Sequence, residues 1–283
     1  IDLGGNIIES KGMMFDIYSK VTLKNGTFKG DTKEKGTVEF KNVSFKYPDA
    51  DEYLLKDISF TAKKGETVAF IGSTGSGKST LINLVARFFD VTGGKILVDE
   101  CDIKDVKIKD LREKIGFVPQ KGVLFSGTIA SNLKLGNEKL SKEEMKRVAQ
   151  ISQSLEFIDK KEDGFDSPIS QGGTNVSGGQ KQRLAIARAI AKDPEIYIFD
   201  DSFSALDYKT DAELRKNLKK YTNNATSLIV AQRIGTIMNA DKILVLDQGT
   251  CVGIGTHKEL MECNDVYKEI ALSQLSKEEL DNA

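Results

Sequence analysis

The sequence predicts an α/β fold, and three observations predict it. An apolar run, a glycine-rich stretch containing Gly-Lys-Ser and an apolar-periodic run succeed one another over residues 67–89, in the order strand, loop, helix. Alternating apolar residues precede that unit, and capping signals with helical spacing follow it at about 127–192. The expectation is an open sheet core, preceded by an antiparallel sheet and interrupted by a mostly helical lobe.

The chain has 283 residues, enough for one large α/β domain or two small ones, and 39% of them are apolar. Lys and Arg number 41 against 42 Asp and Glu, so the net charge is −1, and no overall basic field is present to capture nucleic acid. Cys101, Cys251 and Cys263 are odd in number and lack metal-ligand spacing, which fits free thiols in a reducing compartment, expected to be the cytoplasm. No apolar run approaches the ~20 residues of a membrane helix and no signal peptide opens the chain, so this stretch is expected not to span a bilayer. It starts at Ile1 rather than Met, as a piece of a longer protein would.

Residues 1–35 are rich in glycine and poor in apolar pattern, with only 13–18 looking helical, and read as a tail or linker. From Thr37 the pattern alternates: Val38 and Phe40, Val43 and Phe45, then Ile58, Phe60 and Ala62, as half-buried antiparallel strands require. Tyr47-Pro48 lies between them, where the ring serves either turn chemistry or stacking on a base. Residues 67–71 make a short apolar strand, and 81–89 an amphipathic helix.

Between these two, Gly72, Ser73, Thr74, Gly75, Ser76, Gly77, Lys78 and Ser79 fit the phosphate-loop pattern G-x-x-x-x-G-K-S/T. Glycines let successive N–H groups turn inward around an anion, continued by the positive end of the next helix. A nucleoside triphosphate is the expected ligand, with Lys78 bridging its β- and γ-phosphates. Ser79 offers a hydroxyl to Mg²⁺, and Thr80 is expected to be a further phosphate contact.

Residues 95–98 and 115–118 are further strands, the second ending at Pro119-Gln120. Ser141 and Glu144 form a capping box, and Met145, Val148, Ile151, Ser152 and Leu155 follow at helical spacing, so Met145 is expected in the core. Ser177 and Gln180 form another box, in the stretch Val176-Ser177-Gly178-Gly179-Gln180, with a helix running on to Asp193-Pro194. That stretch is either a well-capped helix or one whose two first-turn glycines expose bare N–H groups to an anion. The apolar run 195–199 is a buried strand ending in Asp200-Asp201, and carboxylates at such an end face the ligand crevice of an open sheet. Asp200 would hold Mg²⁺ and Asp201 lie nearest an attacking water. Ser204 to Asp207 then turn into a charged helix reaching about Tyr221. Residues 226–231 make a buried strand followed by Gln232, and 243–246 with 250–254 a hairpin around Gln248-Gly249. The tail from Ser273 is polar, a frayed helix, and His257 reads as a helix-start or surface residue.

Taken in order, the phosphate loop, Gln120, the Ser-Gly-Gly-Gln helix start, Asp200-Asp201 and Ser204 to Asp207 resemble the nucleotide-binding domain of ATP-binding cassette (ABC) transporters. Phe125 to Ile129 with Asn132-Leu133 are similar to the exporter branch. The resemblance implies a P-loop NTPase, RecA-like core with an antiparallel β subdomain and an inserted α-helical signature subdomain at about 127–192. The domain would span 36–272, between a linker from the transmembrane domain (1–35) and a tail (273–283). It also implies ATP and Mg²⁺ as ligands, Tyr47 at the adenine, Gly72 to Thr80 at the phosphates, and Gln120 as the Mg²⁺-sensing residue that touches the membrane domain. Ser177, Gly178, Gly179 and Gln180 would close over the ATP of a second domain paired head to tail, and Asp207 is a further implied nucleotide-binding residue. The implied partners are that second domain and the transporter's transmembrane domains, at the cytoplasmic face of the cell membrane.

Two departures from the family pattern stand out. Asp201 replaces the usual Glu, one methylene shorter, and Gln232 replaces the switch His, so it can donate a hydrogen bond but move no proton. Ser170-Gln171-Gly172-Gly173 also lacks an acidic residue common in exporters. Together these resemble the degenerate subunit of a heterodimeric, multidrug-type exporter. A rival expectation is a regulatory module in which ATP binding alone sets conformation. A soluble cassette ATPase acting on DNA or ribosomes would carry coiled-coil insertions or a second cassette, and neither heptads nor repeats are found.

Overall fold

The computed structural model describes residues 35–222 and 224–274. The expected helical stretch at 13–18, nearly all of the linker and most of the tail lie outside them. The chain runs β1 (Val38–Phe45), β2 (Leu55–Ala62), β3 (Thr67–Gly72), α1 (Lys78–Val85), β4 (Gly93–Val98), β5 (Cys101–Asp102), α2 (Ile108–Glu113) and β6 (Ile115–Val118). The helical lobe follows, with β7 (Gly127–Thr128), α3 (Ile129–Lys134), α4 (Lys142–Ile151), α5 (Leu155–Asp159), β8 (Pro168–Ile169) and α6 (Gly178–Ala191). The chain then returns through β9 (Ile196–Asp200), α7 (Tyr208–Tyr221), β10 (Thr226–Val230), α8 (Ile234–Ile237), β11 (Lys242–Asp247), β12 (Thr250–Gly255), α9 (His257–Cys263) and α10 (Asp265–Gln274).

Two sheets carry the domain. The four-stranded sheet β2-β1-β4-β5 is antiparallel, and the alternation that predicted it appears as Val38, Phe40, Val43 and Phe45 turned inward. The six-stranded sheet runs β12-β11-β3-β10-β9-β6, parallel except for the hairpin strand β12. Its inner strands are continuous apolar runs because both faces are covered; every residue of β9 is buried. Phe70 on β3 meets Phe60 at 5.4 Å, and Phe60 stacks on Phe40 at 4.5 Å, which binds one sheet to the other. Lys114 adds a polar tie, bonded to Asp99 at 2.8 Å and to Glu195 at 2.5 Å. The helical lobe packs Leu184, Ile186, Met145 and Val148 into one core with Val118, Tyr197 and Phe199 of the sheet, so Met145 is in the core as expected.

Register places the site. Val230 of β10 pairs with Phe70 on one side and with Asp200 on the other, so the carboxyl ends of β3 and β9 lie level with one strand between them.

Two expectations are corrected. The helix expected at 81–89 begins at Lys78 and ends at Val85. Arg87 takes a left-handed φ of 50°, and Phe88 N–H closes back on the Asn83 carbonyl at 3.1 Å, a Schellman ending. Phe88 and Phe89, which prolonged the apolar pattern, stand 47% and 39% exposed beyond it. His257 is the first residue of α9, as one alternative had it, but it is buried rather than on the surface, with Nδ1 2.7 Å from the Tyr267 hydroxyl. Two packed helices, α9 and α10, close the described residues at Gln274, and the rest of the tail expected from Ser273 lies outside them.

Burial holds the His257 imidazole below its ordinary value of 6.5. The unfolded chain therefore takes up the proton first as pH falls, and stability present above about 6.5 is lost below it. Urea unfolding at pH 7.5 and 5.5 should show this loss, and His257→Asn, which does not titrate, should flatten it.

Candidate functional site

The phosphate loop turns on backbone that only glycine supports. Gly72 has φ +150°, and a Cβ there would lie 1.9 Å from the Leu246 carbonyl; at Gly77, with φ +95°, it would lie 2.6 Å from Leu55. Lys78 spans the loop, donating from Nζ to the carbonyls of Gly72 at 2.8 Å and Ser73 at 2.7 Å, with Ser76 Oγ at 3.3 Å. Burial lowers the pKa of this amine, opposed by the charges of Asp201 and Asp200.

Asp200 ends β9 and Asp201 follows it directly, and they are 8% and 6% exposed. Asp200 Oδ1 accepts the Ser79 hydroxyl at 2.7 Å. Burial pushes its pKa up, Ser79 restrains it, and the neighbouring Asp201 charge adds to the rise. Asp201 has a left-handed φ of 44°, and its N–H continues the sheet by donating to the Val230 carbonyl at 2.9 Å. Its Oδ2 accepts two amides, from Gln232 Nε2 at 2.8 Å and Gln120 Nε2 at 3.2 Å.

A buried glutamine that sequence reasoning missed fixes one of these amides. Gln182 of α6 donates from Nε2 to the Pro119 carbonyl at 3.0 Å and accepts at Oε1 from Gly122 N–H at 2.8 Å, clamping both flanks of Gln120. It lies two residues past the Ser177–Gln180 box, where its spacing reads only as helix interior.

Tyr47 meets Phe45 and Phe89 edge to face and places its hydroxyl 3.0 Å from Thr80 Oγ1. Thr80, expected at the phosphates, thus shares its hydroxyl with Tyr47. The bonds described here bring together Tyr47, the loop with Ser79 and Thr80, Gln120, Asp200, Asp201 and Gln232. They do not include Ser177, Gly178, Gly179, Gln180 or Asp207. The Ser177 hydroxyl accepts Gln180 N–H at 3.3 Å and the Gln180 side chain accepts Ser177 N–H at 3.0 Å, so the box is reciprocal, and a Cβ on Gly178 would meet open space. Asp207 caps α7 through Thr210 N–H at 3.0 Å.

The donor chemistry fits what the motif implies. A serine hydroxyl and a carboxylate in contact form an oxygen pair suited to Mg²⁺, which takes one or two protein groups and completes its shell with phosphates and water. A glycine loop with an amine across it suits a polyphosphate.

The family model described as ABC transporter matches residues 55–204. The chain is 44% identical over 257 residues to an uncharacterized ABC transporter ATP-binding protein, YfiB, of Bacillus subtilis (strain 168), covering 88% of this chain and 44% of that protein. It is 44% identical over 253 residues to an ATP-dependent lipid A-core flippase of Haemophilus influenzae (strain 86-028NP), covering 89% of this chain and 43% of the flippase. Among solved structures, a bacterial Atm1-family ABC exporter with ATP bound superposes with a TM-score of 0.81 at 38% identity, over 83% of this chain and 41% of that one. The chain spans less than half the length of these relatives.

The Asp200 environment gives a direct test. Its carboxyl should titrate above the ordinary carboxylate range in ¹³C spectra, because burial disfavours the charge. Ser79→Ala removes the bond that holds the value down, so the titration should move higher still.

Proposed function

The chain belongs to the ABC transporter family of ATP-binding domains, and from that premise we propose that it is the ATP-binding part of an exporter subunit whose own site hydrolyses slowly or not at all. The proposal places it at the cytoplasmic face of the cell membrane, attached to transmembrane domains and paired head to tail with a second, different ATP-binding domain that has the usual Glu and His. The named exporter and flippase relatives support export of small molecules. Among the described residues no helix is long and apolar enough to cross a membrane.

In this reading the N–H groups of 72–79 and Lys78 bind the β- and γ-phosphates, Lys78 exchanging its loop carbonyls for them, and Tyr47 lies against the adenine. Ser79, Asp200 and Gln120 would hold Mg²⁺, which when bound neutralises phosphate charge. Hydrolysis forms a bond from water oxygen to the γ-phosphorus, breaks the bond from that phosphorus to the β–γ bridging oxygen, and requires a group to take the water proton.

One observation carries the impaired-site reading: both amides nearest Asp201 donate to the same Oδ2. Two donors so placed restrain a side chain that is already one methylene short of Glu from reaching toward the water it would activate. A displacement of about 1 Å at a catalytic group can cost on the order of 10²-fold. Gln232, meanwhile, directs its amide to Asp201 and, unlike a His, does not take up or release a proton.

The same pair favours the second reading, a regulatory module in which bound ATP sets conformation without turnover. In the exporter reading, Ser177 to Gln180 and Asp207 complete the competent site of the partner, which explains an intact, exposed signature beside an impaired home site.

Single-turnover hydrolysis of Mg·ATP separates these readings. The natural chain should bind ATP and hydrolyse it about 10²-fold more slowly than an Asp201→Glu, Gln232→His double variant. Equal rates would make Asp201 an adequate base and a self-sufficient homodimer the better account. In the assembled heterodimer, Ser177→Ala in this chain should remove most of the partner site's ATPase while leaving ATP binding here intact; an unchanged ATPase would favour the regulatory module.

A further inference from the structure

The segment after β10 that carries Gln232 is held by a side chain from the far end of the domain. Gln274, the last residue of α10, donates from Nε2 to the Gln232 carbonyl at 2.8 Å and accepts at Oε1 from Ile234 N–H at 2.9 Å. One carboxamide thus grips both sides of Arg233 as a neighbouring strand would. It meets a local need, because Ile234 opens α8 and the N-cap Arg233 makes no side-chain cap. Helix α10 is itself anchored: Tyr267 and Ala271 are buried in one cluster with Ile234, Ile237 and Val245. From another direction Arg215, bonded to buried Asp211 at 3.0 Å, donates to the Gly235 carbonyl at 2.7 Å. Three side-chain bonds from two helices therefore fix residues 232–235, and the Gln232 side chain extends from that frame to Asp201.

We infer that Gln274 is a positioning residue for the nucleotide site, fixing the main chain beside Gln232 so that its carboxamide is aimed at Asp201 Oδ2. The reach of this aim into turnover rests on the proposed function; the aiming itself concerns bonds within this chain. Glutamine is suited to the task because one planar group supplies both donor and acceptor. Glutamate keeps the acceptor for Ile234 N–H and sets a carboxylate against the Gln232 carbonyl. A role limited to capping α8 would therefore survive Gln274→Glu, whereas aiming would not.

The test uses the full chain with Gln274→Ala and Gln274→Glu and reads the Gln232 side-chain amide in ¹⁵N–¹H spectra, assigned by its loss in Gln232→Ala. Both variants should shift that resonance. On an Asp201→Glu background both should raise the single-turnover rate by about threefold to tenfold, the equivalent of releasing one of the two amides that hold residue 201, with ATP affinity kept within about twofold. A Gln232 amide that keeps its position in Gln274→Ala, or one restored to it by Gln274→Glu, overturns the inference. A shifted amide in both variants with unchanged turnover upholds the aiming role and counts against a part for Gln232 in hydrolysis, so the two readings fail separately.

Discussion

Two adjacent carboxylates at the end of a buried strand set the terms for the rest of this site. Removing Asp200 and Asp201 from water is costly unless donors or cations replace the lost hydration. The replacements come from three places: the Ser79 hydroxyl and the charge of Lys78 from the first turn of α1, the Gln120 amide from the segment after β6, and the Gln232 amide from the segment after β10. The strand order makes this possible, because β3 and β6 bracket β10 and β9 and all four strands point their carboxyl ends the same way. The sheet topology and the acid pair are thus one constraint seen at two scales.

The two site glutamines are held alike. Gln182 grips the main chain around Gln120, and Gln274 grips it beside Gln232, each with one donated and one accepted bond. A carboxamide used this way substitutes for a strand partner where a loop leaves the sheet, satisfying polar groups that would otherwise compete for the site. The clamps come from different places, the signature helix and the carboxyl-terminal helix. Movement of either helix would therefore be felt first at the amide that reaches Asp201.

Much of this was legible in the sequence where a residue's neighbours along the chain decide its conformation. The loop glycines, the Ser141 and Ser177 capping boxes and the fully apolar run into Asp200 are local signals, and each appears as read. What failed depended on contacts that the hydrophobic pattern does not carry. Phe88 and Phe89 continued a helical pattern, but Arg87, bonded to Asp90 and to the Ile103 carbonyl, takes the left-handed conformation that ends the helix. His257 looked like a surface residue because nothing nearby in sequence announces Tyr267 above it. Gln182 and Gln274 gave no signal, since a glutamine in a helix is ordinary until the loop it faces is known.

In the single chain, both surfaces that the head-to-tail proposal would join are closed on themselves. Lys78 is satisfied by loop carbonyls, and the Ser177 box is satisfied within its own first turn. Neither arrangement is strained by being alone, so the free chain has no need to bring them together. A triphosphate offers Lys78 a charged acceptor stronger than two carbonyls, since charge-assisted hydrogen bonds are roughly twice as strong as neutral ones. In the head-to-tail proposal, the Ser177 turn gains when an anion arrives from outside its own chain. If pairing follows the head-to-tail proposal, ATP becomes the group that both surfaces lack, and binding alone supplies a reason for two domains to close. Hydrolysis need then be fast at only one of the two sites for the pair to open again, a division of labour that an acid held by two amides in one subunit can tolerate.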